Sequence, residues 1–270
     1  MKSIVITLPN KEDIRIIPFS DLHIGSPKCD IDLIKSQIEK VRNSGSTYAV
    51  LIGDLINNST KVSVGDVYTE ALNPMEQMKL AVDLFAPIKD KILAITSGNH
   101  ERRSYKTDGT DLGWFFANSL DLGDRYDYTA PLLFLRTGYS NSHGQNKERN
   151  RVSASSKTHK FTYTIYMTHG DGANGRLVGG KANALSRRGE IVNADIIITG
   201  HTHQPITFKQ SMYVVDTVNS RVTEREQTFV NCSSMIGYEG YAELYGMRPN
   251  SVAQPEIILG GKNKSVKVII

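Results

Sequence analysis

The chain has 270 residues, with 32 Lys plus Arg against 28 Asp plus Glu, and 39% of it is hydrophobic. That length supports a substantial core, and the ordinary apolar and charged fractions exclude wholesale disorder and fibrous structure. No apolar run is long enough to span a membrane, and the opening MKSIVITLPN has neither the apolar stretch nor the cleavage site of a signal peptide. A soluble, cytoplasmic protein without membrane partners is expected. Cys29 and Cys232 stand far apart, without CxxC spacing, and are expected to be reduced and buried. The net charge of +4 is unevenly spread: residues 136–190 hold ten Lys or Arg against three Asp or Glu, an excess of +7 that leaves −3 for the rest.

In chain order, residues 14–19 form a short apolar run that reads as a buried strand. Asp30 then caps a helix in which Ile31, Ile34, Ile38 and Val41 recur at helical spacing. Residues 48–52 are a second buried strand. Asn73 caps a second helix, with Pro74 at its first position and Glu76 closing a capping box; Met75, Met78, Val82 and Phe85 form its apolar face. Residues 92–95 are a third strand. A third helix is expected roughly from Asp111 to Leu122, stopped by Gly123.

The polar, basic, Ser-rich stretch 141–159 reads as an exposed loop. Phe161, Tyr163, Ile165 and Met167 then alternate with polar residues as in a half-buried strand. A helix carrying Arg187 and Arg188 at its surface follows, and residues 195–199 form another buried strand. Residues 212–218 and 222–230 flank an Asn-Ser turn and predict a hairpin. The aromatic-rich segment 238–249 is expected to cap the site or to pack as a helix and turn. With no repeat and no linker, residues 1–270 read as one α/β domain, with a basic insertion near 139–159 and a C-terminal β/cap segment near 205–270.

Four of the apolar runs lead into polar clusters that could ligate a metal. These are Asp21-Leu22-His23, Gly53-Asp54, Gly98-Asn99-His100-Glu101 and Gly200-His201-Thr202-His203; the alternating strand supplies His169-Gly170-Asp171. Ligands of open α/β sheets gather at the carboxyl ends of strands, so the clusters should converge. Of seven histidines, His23, His100, His169, His201 and His203 sit in them. One histidine after a strand is ordinarily structural; five, beside Asp21, Asp54 and Asn99, point to a metal centre. Imidazole, carboxylate and amide donors suit Mn, Fe, Zn or Co rather than a thiolate zinc site. Glycines beside Asp54, Asn99, His169 and His201 allow sharp turns and close approach.

The ordered set Asp21-x-His23, Gly53-Asp54, Gly98-Asn99-His100-Glu101, His169 and Gly200-His201-x-His203 resembles the calcineurin-like metallophosphoesterases over roughly residues 14–208. It is also similar to the DNA-repair nucleases of that superfamily. The resemblance implies a β-sandwich of mixed sheets flanked by helices, in α-β-β-α layers, with two divalent metals, Mn favoured. One metal would take Asp21, His23, Asp54 and His203; the other would take Asp54, Asn99, His169 and His201, with Asp54 bridging. His100 would be no ligand but would protonate or stabilise the departing oxygen. The implied reaction is hydrolysis of a phosphate ester by a metal-bound hydroxide.

Protein Ser/Thr phosphatases of the superfamily carry an arginine within Gly-Asp-x-Val-Asp-Arg-Gly. Here that place reads Gly53-Asp54-Leu55-Ile56-Asn57-Asn58-Ser59, which disfavours that class. Arg102 and Arg103 are candidate clamps for phosphate oxygens. The excess of +7 around His169 leans the substrate toward phosphodiesters, as nucleic acid or nucleotide. The alternatives are a phosphomonoesterase or protein phosphatase and, further off, a non-catalytic scaffold, which the complete ligand set opposes.

Overall fold

Strands made of Val, Ile, Leu and Phe with almost no polar interruption must be covered on both faces, and the fold supplies both covers. In a computed structural model of the protein, residues 1–9, 12–60, 63, 67–138, 161–170, 177–238, 246, 249 and 251–270 are described. The first half contains β1 (Ser3–Thr7), β2 (Ile14–Phe19), α1 (Ile31–Arg42), β3 (Thr47–Leu51), α2 (Pro74–Phe85), β4 (Ile92–Thr96), α3 (Glu101–Asp108) and α4 (Leu112–Ser119). The second half contains β5 (Tyr126–Asp127), β6 (Leu132–Thr137), β7 (Phe161–Met167), α5 (Val178–Arg188), β8 (Ile196–Thr199), β9 (Ile206–Asp216), β10 (Arg221–Asn231), β11 (Glu256–Leu259) and β12 (Val266–Ile269).

The strands form two mixed sheets, ordered β12-β11-β2-β3-β4-β5 and β1-β6-β7-β8-β10-β9. Strands β2, β3, β4 and β5 run parallel, as do β7 and β8. Alternation within each run divides its side chains between layers. Ile14 and Ile16 of β2, with Val50 and Ile52 at β3, meet Tyr163, Ile165, Ile196 and Ile198 in the core between the sheets. Ile17, Phe19, Ala49 and Leu51 face outward onto Ile34 and Ile38 of α1, Met78 and Phe85 of α2, and Phe116 of α4. On the far side, Tyr166, Ile197 and Phe229 cover Leu185 of α5. The α-β-β-α layering and the mixed sheets agree with expectation.

The helix caps follow the sequence signals in two cases and depart from them in a third. The Asp30 carboxylate accepts the Leu33 N–H at 2.9 Å, and Asn73 with Glu76 forms a complete capping box. Met75, expected on the apolar face of α2, is exposed instead; Gln77 and Ala81 are buried there with Met78 and Phe85. The third expected helix ends early. Leu122 N–H donates to the Ala117 carbonyl and Asp121 N–H to Asn118, with Asp121 at φ 62°. That is a Schellman stop built on Asp121, and Gly123 opens the next turn. Strands β1, β6, β11 and β12 and helix α3 had no clear sequence signal.

The hairpin is longer than expected, β9 and β10 pairing from Ile206↔Asn231 to Asp216↔Arg221. The basic stretch 139–159 and most of the aromatic segment 238–249 lie outside the described residues. No helix among the described residues is long and apolar enough to cross a membrane.

Asp195 ties the second sheet to the C-terminal segment. Its carboxylate accepts the Thr164 N–H (2.8 Å) and hydroxyl (2.9 Å), Arg225 (3.1 Å) and the Lys264 ammonium (2.9 Å). Burial works against the Asp195 charge, but the Thr164 N–H and Lys264 outweigh it and hold the carboxyl below its usual range. A depressed folded-state pKa contributes stability above the unfolded value and loses it as pH falls. Asp195→Asn should therefore cost about 1–3 kcal/mol at pH 7. In denaturant unfolding, the gap to the parent protein should narrow as pH falls below about 4; a gap that does not change with pH would contradict this account.

Candidate metal centre

The loops at the carboxyl ends of β2, β3, β4, β7 and β8 meet at one edge of the sandwich. Asp21 (φ 55°), His23 (49°), Asp54 (51°), His201 (66°) and His203 (55°) are all left-handed. Asp and His tolerate this region better than most residues, yet each instance costs of order 1 kcal/mol or more and persists only where the surroundings enforce it. Asn99 and His169 supply the remaining expected ligands from ordinary backbone. The strain thus sits on the residues expected to carry the chemistry.

Hydrogen bonds beneath the loops enforce it. The buried Glu101 carboxylate accepts four backbone N–H groups: Asp54 (2.9 Å), Leu55 (2.7 Å), Ile56 (3.2 Å) and Gly98 (2.8 Å). The Asp21 and His23 N–H groups donate to the Gly53 and Asp54 carbonyls at 3.1 and 3.0 Å, joining the first two loops. The Asp21 carboxylate accepts the His201 N–H (2.9 Å) and the Ser20 hydroxyl (2.5 Å). Asn231, at the end of β10, donates to the Thr202 hydroxyl (2.8 Å) and the Gln204 carbonyl (2.7 Å), bracketing His203. Two glycines are required by space: a Cβ on Gly98 would overlap the Asp54 carboxylate, and one on Gly200 would overlap Ser20 and Asp21.

Two groups of potential ligand atoms lie close together in this frame, Asp21/His23/His203 and Asp54/His169/His201, and a third, His23/Asp54/His100, joins them. The His23 and His203 Nε2 atoms face each other at 3.3 Å, and Asp21 Oδ1 is 3.2 Å from His203 Nε2. His169 Nε2 lies 3.0 Å from both Asp54 Oδ2 and Asn99 Oδ1, while Asn99 Oδ1 is 2.7 Å from His201 Nδ1. His169 Nδ1 donates to the Ile52 carbonyl at 2.7 Å, which turns Nε2 toward the carboxylates.

The electrostatics favour a cation. Burial works to raise the Asp21 and Asp54 pKa values, but neighbouring histidines hold both well below the usual range. Burial lowers His23 and His201, leaving neutral imidazoles. Burial also opposes charge on His169, yet Asp54 and Asp21 push it up to about 9. Buried ionised carboxylates and an amide oxygen stand beside neutral imidazoles, and the His169 proton between Asp54 and Asp21 sits where a cation would replace it; this donor set fits divalent metal. Asp54 belongs to two of the three groups, as a bridging ligand would.

His100 lies at the edge of this set, its Nε2 3.8 Å from Asp54 Oδ2. Its Nδ1 donates to the Asn57 carbonyl at 2.6 Å, and its Nε2 accepts from Arg103 at 2.8 Å, so the ring is neutral. Burial, joined by the Arg103 charge, lowers its pKa to about 4 against the opposing pull of Asp54. The two arginines expected to clamp phosphate part ways. The Arg103 guanidinium reaches His100, whereas Arg102 donates to the carbonyls of Ser97 (2.9 Å) and Tyr128 (2.8 Å) and stacks over the Tyr128 ring. Arg102 therefore braces the base of α3.

The family model for calcineurin-like phosphoesterases matches residues 14–205. The chain belongs to this family. Its members are metal-dependent phosphoesterases, typically with a binuclear centre. Among solved structures the chain is similar to a predicted phosphoesterase from Streptococcus pneumoniae, at 11% identity over 95% of this chain and 97% of that one, TM-score 0.38. It is similar to Vacuolar Protein Sorting 29 from Cryptosporidium parvum, at 13% identity over 96% and 97%, TM-score 0.42. A third likeness is to the NAD nucleotidase of Haemophilus influenzae, at 12% identity over 96% of this chain and 49% of that one, TM-score 0.37. No curated protein matched the chain.

In the sequence Glu101 stands only as the end of a tetrapeptide, and Asn231 carries no signal. A glutamate among histidines reads as another ligand or a surface charge, and nothing in a sequence announces four N–H donors to it. Burial and the Asp54 charge raise the Glu101 pKa, while the Gly98 and Ile56 N–H bonds oppose them. Glu101→Gln would set an amide NH₂ against backbone donors on one side. The expected result is a loss of about 1–3 kcal/mol in denaturant unfolding, with weaker divalent-metal binding by calorimetry. Parental stability together with parental metal affinity would refute the role given to Glu101.

Proposed function

We propose that this protein is a binuclear metal-dependent phosphodiesterase acting on nucleic acid or a nucleotide in the cytoplasm, with residues 1–270 as one metallophosphoesterase domain. The observation that carries the reading is the convergence of all seven expected ligands, with His100 beside them. In this proposal Asp21, His23, Asp54 and His203 hold one ion, Mn favoured, and Asp54, Asn99, His169 and His201 hold the other. When bound, such ions lower the pKa of a coordinated water and neutralise developing charge on phosphoryl oxygens.

The chain's own groups do the rest. Arg103 offers planar donors that can leave His100 Nε2 and take phosphate oxygens. His100, fixed by its Nδ1–H on the Asn57 carbonyl, then has Nε2 free to take up a proton from water once Arg103 has turned away, and to hand that proton to the leaving oxygen. The free cysteines Cys29 and Cys232 fit a reducing compartment. The diester preference is supported by charge, the +7 excess over residues 136–190. A protein phosphatase is disfavoured at Asn58, where those enzymes carry arginine; its amide donates instead to the His100 carbonyl (2.8 Å) and the Ser104 hydroxyl (3.0 Å).

Two experiments test this reading. His100→Asn should retain bound metal, measured by elemental analysis, yet lose about 10²–10⁴ in rate on an unactivated diester. Undiminished diester hydrolysis would remove His100 from the mechanism. Affinity for single-stranded DNA should fall with salt, each neutralised phosphate adding about −0.7 to the slope of log affinity against log salt. Serine at Arg149, Arg151 and Lys157 together should flatten that slope and leave hydrolysis of a small diester intact. A flat slope in the parent protein would redirect the substrate toward a small nucleotide, a monoester or a phosphoprotein.

A further inference from the structure

His23 can ligate through Nε2 only if its ring proton sits on Nδ1, and a chain of hydrogen bonds reaching outside the five motif blocks decides where that proton sits. Asn57 Oδ1 is 3.1 Å from His23 Nδ1, and Asn57 Nδ2 donates to Glu70 Oε1 at 2.6 Å. A carboxylate only accepts, so Glu70 dictates which end of the Asn57 amide faces it. The carbonyl end is then left facing His23, and a carbonyl oxygen also only accepts. The proton must lie on His23 Nδ1, and the lone pair on Nε2 turns to His203 Nε2, 3.3 Å away.

Glu70 is itself held in register. Its second oxygen accepts from Gln77 Nε2 at 2.8 Å, and Gln77, fully buried, accepts the Asn58 N–H at 2.8 Å and donates to the Leu72 carbonyl at 2.8 Å. Each donor in this chain has an acceptor, so no amide in it can flip without leaving two like groups opposed. The main-chain carbonyl of Asn57 meanwhile holds His100 Nδ1 and Arg103. The side chain of Asn57 thus serves a metal ligand, while its backbone serves the proposed acid. Substitutions of the side chain should separate the two.

We propose that Glu70, acting through the Asn57 amide, is a positioning residue that sets His23 in the Nδ1–H form and so prepares the site of Asp21, His23, Asp54 and His203. This rests on the metal-centre reading above. Outer partners that fix a ligand imidazole are ordinarily worth about 10–100-fold in metal affinity.

The test uses Glu70→Ala and the double variant Glu70→Ala/Asn57→Asp. Without Glu70, the Asn57 amide is free to turn its NH₂ toward His23. Aspartate at 57 has no donor end, so it presents an acceptor to His23 without help. Calorimetric titration with Mn should show one of two ions weakened about 10–100-fold in Glu70→Ala, the other unchanged, and the loss recovered in the double variant. Long-range ¹H–¹⁵N spectra of the metal-free protein should show His23 as Nδ1–H in the parent and in the double variant, and a mixture in Glu70→Ala. Should Glu70→Ala not fold, Asn57→Leu deletes the acceptor and should lose the same ion. Parental binding of both ions by Glu70→Ala or by Asn57→Leu, or a double variant no better than Glu70→Ala, would overturn the relay. A parent protein that binds no Mn would instead overturn the metal-centre reading itself.

Discussion

One buried carboxylate underlies the site. Chains that turn sharply out of β3 and β4 leave several N–H groups with no strand partner, and buried donors without acceptors are costly. Glu101 answers four of them at once, three from the Asp54–Ile56 turn and one from Gly98. That fixes the second and third loops to one another. The first loop is then tied to the second through the Gly53 and Asp54 carbonyls, and the His201 loop to the first through the Asp21 carboxylate. The left-handed conformations of five expected ligands persist because this lattice leaves them no relaxed alternative.

The two sheets supply the frame for that lattice. Because β2, β3 and β4 are parallel and buried on both faces, their carboxyl ends lie side by side, and β7 and β8 bring His169, His201 and His203 to the same edge from the second sheet. Asp54 stands where the two contributions meet, against His169 from one sheet and His100 from the other. A centre assembled from both halves of a sandwich depends on their packing. It is held by the shared core as much as by hydrogen bonds.

Much of this was legible in the chain. The apolar runs at residues 14–19, 48–52, 92–95 and 195–199 read as strands covered on both faces, and Asp30 and the Asn73–Glu76 box mark two helices. The ligands are legible because imidazole, carboxylate and amide donors cluster just after the apolar runs. What escaped depends on contacts across the fold. Strand β1 and, through its pairing with β2, strand β11 have partners far away in sequence, and β12 is an edge strand that pairs with β11 alone. Spacing places Met75 in the core, but it lies in the first turn of α2 and is exposed. Gly123 reads as the natural stop, but Asp121 takes the left-handed place two residues sooner. Glu101, Asn231 and Glu70 act through backbone and amide partners that no periodicity encodes.

The central claim is that the strand ends build a two-metal site bridged by Asp54. Its most direct test is anomalous scattering from crystals grown with Mn. The expected result is two anomalous peaks about 3.5–4 Å apart, both in contact with the Asp54 carboxylate, one also reaching Asp21, His23 and His203, the other Asn99, His169 and His201. An absence of peaks at saturating Mn, or a single peak that leaves Asp54 uncoordinated, would contradict it.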